Sequence, residues 1–177
     1  MNRVTCFHCN YDEKIIEFVE NHQPIISEHP FDNNWAGKGM YFWDNFDNAN
    51  YWRGEKRKKS PASVSIVSVD VEYDTSDTSF LDLTSESILK KLIEYYKLTH
   101  PEENISDKKI GVLIDDYSHQ NDVKVIKLLG DYKHNKSPNT PIDISKLSYK
   151  AKVIYCVKEK GKSNIIFNSI RKIEGEK

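Results

Sequence analysis

No stretch of this 177-residue chain carries more than a few apolar residues in a row. A membrane-spanning helix needs ~20, so no membrane partner is expected. Neither sign of charge prevails, with 26 lysines and arginines against 27 aspartates and glutamates. Without an overall field, nucleic acid or an anionic membrane would have to be drawn by a local patch. Cysteine is scarce and odd in number: Cys6, Cys9 and Cys156 do not make a disulfide framework. Met1-Asn2-Arg3-Val4-Thr5 leads into strand-like sequence without an apolar leader core, which together with the sparse cysteines points to the cytoplasm. Phosphate-cradling P-loops, G-x-G-x-x-G dinucleotide turns and G-x-S-x-G nucleophile elbows are also absent. The length suits one domain over residues 1–177 with its own core.

Metal chemistry has little to build on. Cys6-Phe7-His8-Cys9 has a C-x-x-C spacing, but on a strand Cys6 and Cys9 point to opposite faces, and no second ligand pair follows. No metal is expected. Asp115-Asp116 and Asp82 come without a partner motif for glycosidase or nuclease work and are read as surface or capping residues.

The pattern along the chain is α+β. Residues 4–8 read as a strand, and Asn10 with Glu13 as a capping box opening a helix over Ile15, Ile16, Phe18 and Val19. A loop over residues 22–37 leads to a strand at 39–43 and a helix at 49–56. Residues 64–73 read as a long strand through the sheet's centre, with a bulge at Ile66-Val67. Thr84 or Ser85 caps a helix with the stripe Ile88, Leu89, Leu92, Ile93 and Tyr96, ended by Pro101. Residues 110–114 and 123–129 read as shorter helices, the second stopped by Gly130. A loop over 131–145 precedes strands at 152–158 and 164–167 around a Gly161 turn, and then a charged tail that frays. Strands at both ends with helices between fit antiparallel sheets flanked by helices.

The densest segment is residues 35–52, Trp-Ala-Gly-Lys-Gly-Met-Tyr-Phe-Trp-Asp-Asn-Phe-Asp-Asn-Ala-Asn-Tyr-Trp. Gly37 and Gly39 would let backbone approach a ligand closely. Tyr41 and Trp52 could grip a flat polar ring, with His8 at the end of the first strand facing the same cleft. Singly, a histidine at a strand end is more often structural and a Tyr-Phe-Trp run more often core. Their joint spacing is what suggests a site.

Phe7-His8-Cys9-Asn10 resembles the F-H-G-T motif, and Gly37-Lys38-Gly39-Met40-Tyr41-Phe42 with Ala49 and Trp52 resembles the G-x-G-x-Y-F motif with its later alanine and aromatic, of the diphtheria-toxin and poly(ADP-ribose)-polymerase-like ADP-ribosyltransferases. Within that branch the chain is most similar to small bacterial proteins with an H-G-T strand and a D-W-L-G-x-G-x-Y-F-W-E segment. The likeness continues through Leu81-Asp82-Leu83-Thr84 to residues 150–158.

The resemblance implies two antiparallel sheets around an NAD cleft and transfer of one ADP-ribose from NAD to a macromolecular acceptor, protein ahead of RNA or DNA. His8 would hold a ribose hydroxyl, Tyr41 would stack on the nicotinamide, and Trp52, or Tyr51 as second choice, would close its other face. Backbone at Cys9 would take the carboxamide, with Asn10, Gly39 and Ala49 completing the cofactor-binding set. Two positions depart from the family. Cys9 replaces a glycine, and Ile154 stands where the third catalytic member is a glutamate or glutamine, so the acceptor would have to supply the missing base and chain extension is not expected. A toxin or phage-defence role extends the resemblance and brings an antitoxin or inhibitor into view as a partner. A degenerate module that holds NAD, ADP-ribose or a partner without turnover is the competing reading. The basic run Arg53, Lys56, Arg57, Lys58 and Lys59 is either a solvated face or a contact for NAD phosphates or a nucleic-acid acceptor.

Overall fold

The computed structural model describes residues 1–131 and 151–173. The chain runs β1 (Asn2–Tyr11), α1 (Asp12–Asn21), β2 (Met40–Trp43), α2 (Phe46–Lys59), β3 (Val64–Tyr73), β4 (Phe80–Asp82), α3 (Glu86–Thr99), α4 (Ile110–Gln120), β5 (Val125–Asp131), β6 (Ala151–Val157) and β7 (Ile165–Ile173). Short 3₁₀ segments occupy Pro30–Asn34, Ile105–Asp107 and Glu159–Asn164. This is a mixed α+β fold. No helix among the described residues is long and apolar enough to cross a membrane.

Among the described residues all seven strands, with β4 and β5 paired in parallel, join one sheet in the order β4-β5-β6-β2-β1-β3-β7, where two antiparallel sheets were expected. The reason lies at one junction. β1 pairs with β3 over its whole length, from Asn2↔Tyr73 to Tyr11↔Val64, but meets β2 only at Phe7↔Trp43. The sheet is therefore two well-paired halves, β4-β5-β6-β2 and β1-β3-β7, joined at a single residue pair.

Period-two alternation sends successive side chains to two layers. Cys6, Val67, Val69, Val71, Met40 and Phe42 pack with Ile15 and Phe18 of α1. Cys9, Trp43, Ile66 and Ile154 pack with Ala49 of α2, Leu92 of α3 and Ile114 of α4. Cys6 and Cys9 thus do lie on opposite faces.

Several expected elements differ. β3 is next to the edge rather than central, and its register shift falls between Ser68 and Asp70, not at Ile66-Val67. There the Asp70 N–H donates to Ser169 Oγ at 2.8 Å, a side chain standing in for the missing ladder bond. The helix expected over 123–129 is a strand: Val125 packs in the α1 layer while Ile126 and Leu128 pack in the other, which is period two. Gly130 does not stop a helix but pairs with Lys152. The capping box at Asn10 and Glu13 does not form, because Asn10 stays in β1 and Tyr11 occupies the cap position. Ile16 and Val19 of the expected stripe are exposed. Apart from Asp131, which ends β5, the loop expected over 131–145 lies outside the described residues, as does the end of the charged tail.

Candidate functional site

His8 sits where β1 and β2 part. Continuing the Phe7↔Trp43 register would set Cys9 against Tyr41, but that pairing is not made. Instead the Tyr41 carbonyl accepts from His8 Nδ1 at 2.7 Å. A carbonyl can only accept, so Nδ1 carries the proton and Nε2 keeps its lone pair. Nε2 faces Asn10 Nδ2 at 3.5 Å, a long contact. The ring is 7% exposed. Burial lowers its pKa to about 4, the Tyr41 carbonyl opposes that shift, and the charge of Lys56 adds to it. His8 is thus a neutral acceptor at physiological pH.

Past Phe7, the β2-facing edge of β1 has no strand against it among the described residues. The basic end of α2 borders this wedge. Lys56 Nζ donates to Asn10 Oδ1 at 3.3 Å and lies 5.0 Å over the Tyr11 ring, and Lys56 and Arg53 both act on the Cys9 thiol. Cys9 itself is buried, and burial pushes its pKa up to about 11 despite those cations.

Tyr41 belongs to the layer of Cys9, Ala49, Trp43, Trp52 and Ile154. His8 lies on the other face of β1, its ring 5.7 Å from Phe42 of the α1 layer. The two are joined by the backbone bond rather than by side chains sharing one face. Trp52 stacks on Trp43, with centroids 6.1 Å apart and planes at 27°, and meets Tyr51 edge to face. The indole nitrogen of Trp43 is buried with no hydrogen-bond partner among the described residues. Ala49 is fully buried where α2 meets the sheet. Ile154, 3% exposed, pairs with Trp43 on one side and Leu128 on the other, an inward core residue at the position where the resemblance puts an acid.

The two glycines expected to admit a ligand are instead packed against protein. A Cβ on Gly39 would stand 2.3 Å from Cys156 Sγ, and one on Gly37, whose φ is +70°, would stand 2.2 Å from an Asp115 oxygen. Their freedom serves a turn over residues 35–39 pressed on α4 and β6. Gly111 of α4 completes this contact, since a Cβ there would lie 2.7 Å from the Asn33 Cα and the Gly37 nitrogen.

Sequence reasoning missed Lys158 and set Asp115 aside as a surface or capping residue, whereas Asp115 pairs with the buried Lys158. Lys158 Nζ donates to the Ala36 carbonyl at 2.5 Å, the Lys38 carbonyl at 2.7 Å and Asp115 Oδ1 at 2.7 Å. Asp115 in turn accepts the Lys38 N–H on both oxygens at 3.1 Å. Tyr41 closes the same turn, its hydroxyl donating to the Gly37 carbonyl and accepting from the Ala36 N–H at 3.2 Å. Burial raises the Tyr41 phenol well above its ordinary pKa, so it stays a donor. Nothing in Lys158-Glu159-Lys160-Gly161-Lys162 marks the first lysine as buried. Gly111 and Asp115, four apart on one helix face, are the available signal for a close approach beside an acid.

Two clefts flank this region. One of about 420 Å³ is apolar, lined by Trp35, Leu83, Leu89, Ile110, Ile114 and Leu128 among others. The other, about 300 Å³, mixes charged residues such as Lys38, Asp115, Lys158 and Lys160 with the apolar Ile26 and Val123 on its walls. Neither is lined by His8, Tyr41 or Trp52. Among the described residues no group of three or more histidine, cysteine or acidic side chains is placed to hold a metal ion. No protein-family model, curated protein or solved structure matches the chain.

Proposed function

We propose that the chain is a mono-ADP-ribosyltransferase of the cytoplasm, with an ADP-ribosyltransferase fold, that takes NAD at the wedge between β1 and β2. The observation that carries this reading is the parting of the two strands at His8, which leaves a strand edge at Cys9 and Asn10 beside a neutral histidine. An unpaired strand edge carries amide and carbonyl groups that suit a planar carboxamide, the contact that the motif resemblance assigns to Cys9, which is 1% exposed and has to be uncovered to make it. His8 Nε2, an acceptor held only by the long Asn10 contact, takes a ribose hydroxyl. Tyr41, Trp43 and Trp52 supply the aromatic layer for the nicotinamide, and Lys56 and Arg53 give positive charge for the diphosphate.

In the reaction the bond from the ribose anomeric carbon to the nicotinamide nitrogen breaks as the acceptor oxygen or nitrogen forms a new bond to that carbon. The electron pair of the old bond leaves with nicotinamide, and the acceptor's proton passes to a base. Ile154 cannot be that base, so a carboxylate of the acceptor serves. A protein acceptor fits this better than nucleic acid, and an effector of this kind would be restrained in its host by an antitoxin or inhibitor. The burial of Ile154 in the core favours one second reading, a module that binds NAD or ADP-ribose without turnover.

Adenylate-labelled NAD incubated with the protein and a cell lysate separates these. The enzyme reading predicts label that survives denaturation and is released by protease. Measurable NAD binding with neither label transfer nor nicotinamide release would leave the binding module standing instead.

A further inference from the structure

We infer that Lys158 and Asp115 are positioning residues for the nicotinamide pocket, acting through the 35–39 turn on Tyr41. The inference rests on the NAD-binding reading above. Lys158 is only 6% exposed, and the three protons of its ammonium meet three acceptors, the Ala36 carbonyl, the Lys38 carbonyl and Asp115. The carboxylate extends the clasp to the Lys38 N–H. From the other side the Tyr41 hydroxyl holds the Gly37 carbonyl and the Ala36 N–H. Backbone groups of three successive residues, 36 to 38, are therefore held by one ion pair on one side and one phenol on the other.

Stability alone is a poor account of this arrangement. A buried ion pair often does no better than a well-packed apolar pair of the same volume. What it adds here is geometry: three donors from one nitrogen hold the two carbonyls and the carboxylate together, and the turn so held carries both partners of the Tyr41 hydroxyl, whose ring packs in the layer with Cys9 and Trp43. Gly37 at φ +70° lets the carboxylate lie against the turn where any side chain would collide with it.

The test compares Lys158→Met with Val69→Ala, a core truncation in the opposite layer. Both should lower the unfolding midpoint, but only Lys158→Met should weaken NAD binding, by on the order of tenfold to a hundredfold. It should also speed amide exchange at residues 36–39 while β3 stays protected. Combined with Tyr41→Phe, its effect on affinity should be smaller than the sum of the single effects, since both act on one turn. Parallel loss of affinity in Val69→Ala, or strictly additive effects, would overturn the positioning role. Should Lys158→Met fail to fold, Asp115→Asn must weaken NAD binding severalfold, and an unchanged affinity there refutes the inference. If the wild-type protein takes up no NAD, the reading of the pocket fails. Exchange at 36–39 then still decides the clasp, and unaltered protection in the variants rejects it.

Discussion

His8 titrates far from where a free histidine does, and the consequence is measurable. Its folded pKa of about 4 lies below the ordinary 6.5, so the unfolded chain takes up the proton first as pH falls. The associated stability is complete above pH 6.5 and is lost between there and about pH 4. Its ceiling is about 3 kcal/mol. Urea midpoints across that window should fall more steeply for the wild type than for His8→Gln, and parallel curves would show that His8 is not buried neutral. The cysteines give a second prediction. Burial pushes Cys9 up to about 11 and Cys156 up to about 12 and raises Cys6 further, so thiolate is scarce at neutral pH. A thiol reagent should label the native protein slowly and all three sites promptly in denaturant. At this scale the sequence brought His8 and Tyr41 forward together through a motif, two residues joined in the structure by the bond from His8 Nδ1 to the Tyr41 carbonyl. It was silent on Lys158, because a lysine in a charged run carries no sign that its ammonium will be buried under two carbonyls.

Two helices of this chain differ in how much a glycine matters to them. A Cβ added at Gly54, within α2, would have nothing within 4 Å, whereas one at Gly111 in α4 would meet backbone of Asn33 and Gly37. Gly54→Ala should therefore raise stability by about 0.5–1 kcal/mol. Gly111→Ala should lower it by about 1–3 kcal/mol, as overpacking does, and should loosen the 35–39 turn. Thermal or chemical unfolding of the two variants checks both signs. Ile154 sits between Trp43 and Leu128, so Ile154→Glu should cost on the order of 4 kcal/mol or more through an unpaired buried charge, against about 1 kcal/mol for Ile154→Val. A folded, stable Ile154→Glu protein would place that residue at a cleft instead. The misread element, β5, shows the limit of periodicity: Val-Ile-Lys-Leu-Leu is too short for its pattern to separate helix from strand. The long alternation of β3 was legible to the residue, since ten positions are enough to fix the period.

For the molecule as a whole, the sheet's division at Phe7↔Trp43 organises everything else. Sequence patterning foresaw an α+β fold but neither the parallel β4–β5 pair nor the single junction, because pairing between strands distant in sequence leaves no local trace. It gathered His8 and Tyr41 into one site without showing that they lie on opposite faces and meet through a backbone carbonyl. On the proposed reading, NAD enters the wedge between the two halves. Titrating NAD into isotope-labelled protein and following backbone amide resonances tests it most directly. The account predicts shifts concentrated at residues 8–11 and 40–43 and at Trp52, abolished by Tyr41→Ala. Shifts confined to the apolar cleft of Trp35, Leu83 and Ile110, or none at saturating NAD, would contradict it.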